Sequence, residues 1–320
     1  LGYLSDRIGR VPITTIGFLV TAVGSFLAAY SLPLGVALGI GGLAFYFVMR
    51  VAMSLGMAAV WPQLSALAGD LTRYDDRPRM MANAAFMMAL GGTLVYALLM
   101  QIPRHAGVLT VMLMTSVVAV IGAAVTRRCL KDVAPRLEKD DIPWRRIFDL
   151  IAKQEKMRLS FATAFLARSD MVFIGMFGMM WFIYFADIVG IGQEDAAARG
   201  GALIGLAGAI VLVSLPFWGR MIERLGRVQS LTIGLALSGV GFLMMGLVVN
   251  PFDWFIALPT AFIAVGQGGC LVAPQVLAID QTPRDVRGSV LGAFGMVGGI
   301  GIVFFVLIGG LLFDAVGPHA

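Results

Sequence analysis

Three charges sit inside long apolar stretches of this sequence: Arg50, Arg168 and Asp170. An ionised group at the centre of a membrane helix costs ~2.5–3.5 kcal/mol on insertion scales, so such residues face a cavity or a partner and mark pathways for solutes, ions or protons. Arg50 stands alone in its stretch and would favour an anionic group. Arg168 and Asp170 are two apart, so on one helix they point to nearly opposite faces and are not each other's ion pair. For all three, the competing reading is a structural charge satisfied by a neighbouring helix. Gln63, Gln267 and Gln275 are weaker candidates for lining a solute or ion pathway. Pro62 and Pro274, each followed by glutamine, would free a backbone carbonyl and loosen their helices, which suits a gate as well as a static kink. No Ser/His/Asp, HExxH or Cys/His cluster is visible, so the sequence argues against an enzyme and implies no metal or cofactor. Cys129 and Cys270 lie far apart without ligand spacing. No G-x-x-x-x-G-K-[ST] loop is present to harness a nucleotide.

The elements that must hold these residues are helices in lipid. Of 320 residues, 59% are hydrophobic and 13% charged, against about 45–50% and about 25% in soluble domains. Apolar runs cover 13–31, 36–68, 80–100, 107–126, 159–186, 200–218, 229–249, 254–279 and 288–313. Most are near the ~20 residues needed to cross a bilayer as a helix. Backbone groups in lipid need internal partners, so helices are the expected spanning form. The ten-residue alternation of a membrane barrel is missing. The 40 glycines fit close helix–helix approach. The first residues, Leu1-Gly2-Tyr3-Leu4, read as the tail of a further span.

Orientation is set by Lys and Arg. Connections 1–12, 69–80, 127–158, 219–229 and 281–288 carry 20 of the 24, while the opposite set carries only Arg104 and Arg199. The first set is therefore expected in the cytoplasm of a multi-pass protein of the plasma (inner) membrane. The net charge of +5 is a topology signal, and nucleic acid is not an expected partner. The 127–158 connection separates an N-terminal half, 1–126, from a C-terminal half, 159–320. Within it, Asp141-Ile142-Pro143 reads as a helix start. Trp144, Ile147, Phe148 and Ile151 come next on one face, with Arg145, Arg146, Lys153 and Lys156 elsewhere, an amphipathic helix suited to the membrane surface or to a plain linker.

An internal repeat organises the rest. Gly2-Tyr-Leu-Ser-Asp6-Arg7-Ile-Gly9-Arg10-Val11 matches Gly219-Arg-Met-Ile-Glu223-Arg224-Leu-Gly226-Arg227-Val228 at one spacing. Gly56, Val60, Pro62 and Gln63 match Gly268, Val272, Pro274 and Gln275 at a spacing five residues shorter. Both loop matches fall on the basic side, so the halves are parallel repeats about an axis along the membrane normal.

Gly2-x-x-x-Asp6-Arg7-x-Gly9-Arg10 resembles the cytoplasmic signature between the second and third helices of major facilitator superfamily transporters, and 219–227 resembles its cognate between helices 8 and 9. The stretch from Arg287-Gly288-Ser289 to Gly309-Gly310-Leu311-Leu312-Phe313-Asp314 is similar to the family's eleventh helix. The resemblance covers essentially the whole chain and implies an all-α membrane bundle of two parallel six-helix repeats. About nine complete spans would be present, from the end of helix 2 through helix 11. It further implies that Gly2, Asp6, Arg7, Gly9, Arg10, Gly219, Glu223, Arg224, Gly226 and Arg227 form gating loops that latch the cytoplasmic side closed, and that helices 4, 7 and 10 line the solute cavity. The fourth helix departs from the family's arginine motif, since Ser54 stands where glycine is usual, and the glycine–proline signature of drug antiporters is missing from the fifth. The expected activity is secondary active transport of a small, anionic solute by a monomer, with protons as a candidate coupling ion through Asp170. The alternative is a non-transporting assembly factor or sensor on the same fold.

Overall fold

The computed structural model describes residues 2–97, 103–133 and 144–316. The linker stretch 134–143, with the expected helix start Asp141-Ile142-Pro143, lies outside the described residues, as does His319. Among those described there is no β-strand. The helices are α1 (Gly2–Ile8), α2 (Arg10–Ala29), α3 (Ser31–Ala37), α4 (Gly42–Leu71), α5 (Arg77–Ala97), α6 (Pro103–Cys129), α7 (Trp144–Lys153), α8 (Glu155–Ala167), α9 (Asp170–Phe173), α10 (Met179–Val189), α11 (Gln193–Leu225), α12 (Arg227–Met245), α13 (Ala257–Gln281) and α14 (Arg287–Val316). Among the described residues, seven helical segments are long and apolar enough to cross a membrane: Arg10–Ala29, Gly42–Leu71, Leu109–Cys129, Ala198–Leu225, Arg227–Met245, Trp254–Gln281 and Arg284–Ala315.

The sequence leads to an expectation of nine spans, and among the described residues one of them differs. The 80–100 run is α5, which is described as far as Ala97. The 159–186 run is not one continuous α-helix. It breaks at Arg168 and Ser169, resumes as α9, passes through a π-helical turn at Ile174–Gly178 and continues as α10. Ser169 donates its hydroxyl to the Leu166 carbonyl at 2.8 Å, a local bond that competes with the α-helical ladder. Gly175 and Gly178 bring no side chain to hold the turn tight.

The chain divides into two compact units, and each takes elements from both sequence halves. Unit 1 comprises 1–73, 91–149 and 282–293; unit 2 comprises 74–90, 150–281 and 294–320. In unit 1, α2 packs on α4 through glycine. A Cβ on Gly17 would sit 2.7 Å from the Gly56 carbonyl, and one on Gly24 would sit 2.8 Å from Met53. In unit 2, α12 packs on α13 the same way, with Gly234 against Gly266 and Gly241 against Ile263. Such small-residue contacts let helix backbones touch where lipid supplies no hydrophobic force between spans.

These paired contacts correct the repeat register. Gly17 and Gly24 correspond to Gly234 and Gly241, as the loop match requires, but Gly56 and Met53 correspond to Gly266 and Ile263. The structural partner of Gly56 is therefore Gly266, two residues before Gly268. Pro62 and Pro274 lie inside α4 and α13 but are not equivalent positions. A two-residue slip of short motifs is easy to make in helices rich in Gly, Ala and Val; backbone contact removes it. The corrected register places Asp70 opposite Asp280 and Arg77 opposite Arg287.

Candidate functional site: two arginine–carboxylate clusters and a broken helix

The second glycine of each loop signature ends one helix and starts the next. Gly9, between α1 and α2, has φ +119°, and Gly226, between α11 and α12, has φ +91°. Residues with a Cβ rarely adopt either. The exposed start of α2 is capped in trans. Asp132, just beyond α6, accepts the Arg10 and Val11 N–H groups at 2.8 and 3.2 Å.

In unit 1 this turn delivers Asp6 and Arg10 into a buried cluster. Asp6 accepts hydrogen bonds from the Gly288 N–H at 2.8 Å and from the Ser289 N–H and hydroxyl, both at 2.6 Å. It thus caps the positive end of α14, whose first N–H groups lack intrahelical acceptors. Burial pushes the Asp6 carboxyl above its usual range, while Ser289, the Arg10 charge and the Gly288 N–H draw it back. Asp70, at the last turn of α4, pairs with both Arg10 and Arg287. Arg10 also reaches the Arg284 carbonyl at 2.8 Å. Gly2 lies so close to α14 that a Cβ on it would overlap the Gly288 carbonyl. Ser5 meets Gln63 there, so Gln63 is fully buried in this contact.

Unit 2 repeats the plan with different chemistry. Asp280, near the end of α13, accepts from Arg77 at 2.6 Å and from Arg227 at 3.0 Å. Arg227 also donates to the Tyr74 carbonyl at 2.7 Å and lies 4.2 Å over the Tyr74 ring. In both clusters a carboxylate late in a helix is therefore clamped by two arginines, one from the loop signature of its own half and one from the opposite half. The cap is not repeated. The positions matching Gly288-Ser289 are Pro78-Arg79, and Pro78 has no N–H to donate. Glu223 binds instead the Arg79 side chain at 2.8 Å, which is 62% solvent-exposed. Gly219 packs on Ala82, the counterpart of Gly292.

Of the other loop candidates, Arg7 and Arg224 are exposed. Arg50 is exposed on α4. Arg168 lies at the break after α8, where its side chain runs along Gly298 and Gly295 of α14. Asp170 starts α9, and neither it nor Arg168 forms an ion pair among the described residues. Gln267 and Gln275 are buried in α13. The structure brings Asp6, Arg10 and Gln63 to one cluster and leaves Arg50 outside it.

Asp70, Asp280, Arg77, Arg287, Ser289 and Asp132 were not singled out by sequence. The signal for the first four lay in the repeat, but only in the corrected register. Asp132 and Ser289 act on helix ends far along the chain and leave no local trace.

A cavity of about 560 Å³ in unit 2 is lined by Phe173, Phe177, Trp181, Phe242, Met245 and Phe313 among others, and none of its described lining residues is charged. It borders the face of α12 that matches the α6-covered face of α2, where Phe18 meets Gly122 and Ser25 donates to the Met112 carbonyl at 2.9 Å.

Comparison with known proteins gives one consistent answer. Residues 1–214 and 171–320 match the profile of the Major Facilitator Superfamily. The chain is 57% identical over 320 residues to the magnetosome protein MamH of Paramagnetospirillum magneticum, covering all of this chain and 74% of that protein. It is 40% identical over 323 residues to the magnetosome protein MamZ of the same organism, and spans half the length of that relative. Among solved structures, the human organic anion transporter MFSD10 superposes with a TM-score of 0.77 at 16% identity, over the whole chain and 75% of its own. A bacterial homologue of the iron transporter ferroportin, in an outward-facing state, superposes with a TM-score of 0.73 at 15% identity, over 97% of this chain and 78% of its own. These two likenesses are of fold. With its parallel repeats and seven apolar helices among the described residues, the chain belongs to the Major Facilitator Superfamily, a family of multi-pass membrane transporters.

Proposed function

We propose that the chain belongs to a secondary active transporter that moves a small anionic solute by alternating access, with 1–126 and 159–320 as its halves and 127–158 as their link. The observation that carries this reading is the doubled clamp: Asp70 held by Arg10 and Arg287, and Asp280 held by Arg227 and Arg77. Each clamp joins a loop of one half to a helix start of the other, as a reversible cytoplasmic latch must. Asp6, Arg7, Gly9, Arg10, Glu223, Arg224, Gly226 and Arg227 belong to that latch. Arg50 lies in an apolar helix and Arg168 at the break in an apolar stretch, both without an ion pair among the described residues, which favours a solute carrying negative charge. Asp170, at the break in the same stretch, is the candidate proton carrier. The names of the MamH and MamZ relatives support a magnetosome membrane as the location, in place of the plasma membrane expected from charge bias alone.

The test is solute flux into vesicles holding the full-length protein. Inorganic and organic anions would be offered with and without an imposed proton gradient. Flux of an anion that falls when Arg50 or Arg168 becomes Ala supports the reading. No flux for any solute would favour an assembly factor or sensor on the same fold.

A further inference from the structure

The basic link between the halves carries a surface that the latch does not use. Helix α7 has one apolar stripe, made by Trp144, Ile147, Phe148 and Ile151. Ile147, on one edge, is only 3% exposed, whereas Trp144 and Phe148 on the other are 44% and 65% exposed. Their rings lie against each other with centroids 6.4 Å apart, forming a continuous aromatic edge. Arg145 flanks that edge and is exposed. One residue after the end of α7, α8 begins with Glu155, Lys156 and Arg158 before its apolar run. The helix thus stands next to the start of the 159–186 apolar run. The connection containing it is also the most basic of the cytoplasmic set, with 10 of the 24 Lys and Arg.

We propose that the Trp144–Phe148 edge of α7 docks into the cytoplasmic face of the bilayer, with Arg145 on the headgroups of anionic lipids. Aromatic side chains with an apolar body favour the headgroup level. A short helix with a basic flank gains both from burying its apolar edge and from about 1 kcal/mol of attraction per basic residue near an anionic surface, equivalent to roughly fivefold in binding. The opposite side of the same helix faces protein. Arg146 pairs with Asp285 at 2.5 Å, next to Arg284, whose carbonyl Arg10 holds, and two residues before Arg287 of the Asp70 clamp. Docking would therefore tether the turn before α14 to the lipid surface. This consequence rests on the latch reading; the docking itself does not.

The full-length protein, with Cys129→Ser and a bimane fluorophore on Ala152→Cys, one turn beyond Phe148, tests this in lipid nanodiscs. Nitroxide lipids spin-labelled near the headgroup or deep in the acyl chain report depth, and aqueous iodide reports exposure to water. Docking predicts stronger quenching by the shallow nitroxide than by the deep one, and an increase when phosphatidylglycerol replaces part of the phosphatidylcholine. Arg145→Glu, an exposed change that leaves the fold intact, should remove that increase. Trp144→Ser with Phe148→Ser should lower lipid quenching by about half or more. Quenching by iodide without quenching by lipid nitroxides would place the edge in water and overturn the proposal. Equal lipid quenching in neutral and anionic discs would overturn the headgroup assignment. Solute flux does not enter these readouts, so their failure is separate from failure of the transport reading.

Discussion

Asp6 takes both the backbone N–H and the hydroxyl of Ser289, each at 2.6 Å, across almost the whole length of the chain. The pair ties the first loop signature to the start of α14. An acid is required because the start of a helix presents N–H groups and positive dipole charge together. An aspartate suits because its short arm meets two successive N–H groups while Gly2 and Gly288 bring the helices close.

Removing this cap should free α14 from α1. Hydrogen bonds to a charged group contribute about 1.5–3 kcal/mol each, so Asp6→Ala should move the closed-to-open balance by roughly tenfold or more, and Ser289→Ala by less. Spin labels on the exposed positions Ile8 and Pro283 would report the separation. An Asp6→Ala distance distribution identical to the parent's would remove Asp6 from the latch. Asp70→Asn should cost more, about 3–5 kcal/mol, because it strands Arg10 and Arg287 in a buried site; thermal unfolding in detergent measures it.

The second cluster should be the weaker and more salt-sensitive one. The Arg79 side of its Glu223–Arg79 pair is solvent-exposed, and pairs open to water contribute about 0–1 kcal/mol. Arg79→Ala should therefore change thermal stability little, and less at high salt. Rebuilding the first cluster's chemistry with Glu223→Asp, Pro78→Gly and Arg79→Ser should instead stabilise the closed form by about 1–3 kcal/mol. A triple variant with no gain would show that the missing cap does not separate the clusters.

The Asp6 carboxyl also sets a direction for pH. Burial leaves it above the usual carboxylate range although Ser289, Gly288 and Arg10 face it. The latched state then binds a proton more readily than a hydrated Asp6 would. By linkage, acidification through the carboxylate range favours the latched form and a rise in pH favours release. The same Ile8–Pro283 label pair measured across pH checks this, with Asp6→Asn as the flat control; a parent that opens on acidification contradicts it.

Anion recognition makes the last prediction. Arg50→Ala and Arg168→Ala should each weaken binding of an anionic solute about tenfold or more, while Arg→Lys should retain part of it. Gly298→Leu should mimic Arg168→Ala, because even a Cβ at 298 would lie 2.5 Å from the Arg168 side chain. Calorimetry with the transported anion measures all of these; unchanged binding by Arg50→Ala would take Arg50 out of the site.

The sequence by itself determined the membrane class, the orientation bias, the parallel repeat and the family. These rest on composition, on the side that Lys and Arg occupy, and on glycines that a backbone with positive φ demands, all of which are local or averaged over many residues. Only the tertiary structure decided the register of the repeat, because small apolar residues match at several offsets while backbone contact at Gly17–Gly56 and Gly234–Gly266 admits one. It also decided that Asp70 and Asp280 are the clamped acids, that Pro78 deprives one cluster of its cap, and that Gln63 packs against Ser5 in the first cluster. The 159–186 stretch reads as one apolar helix, yet breaks at Arg168: the competing Ser169 bond is local, whereas the room that Gly298 offers the Arg168 side chain exists only once the helices have packed.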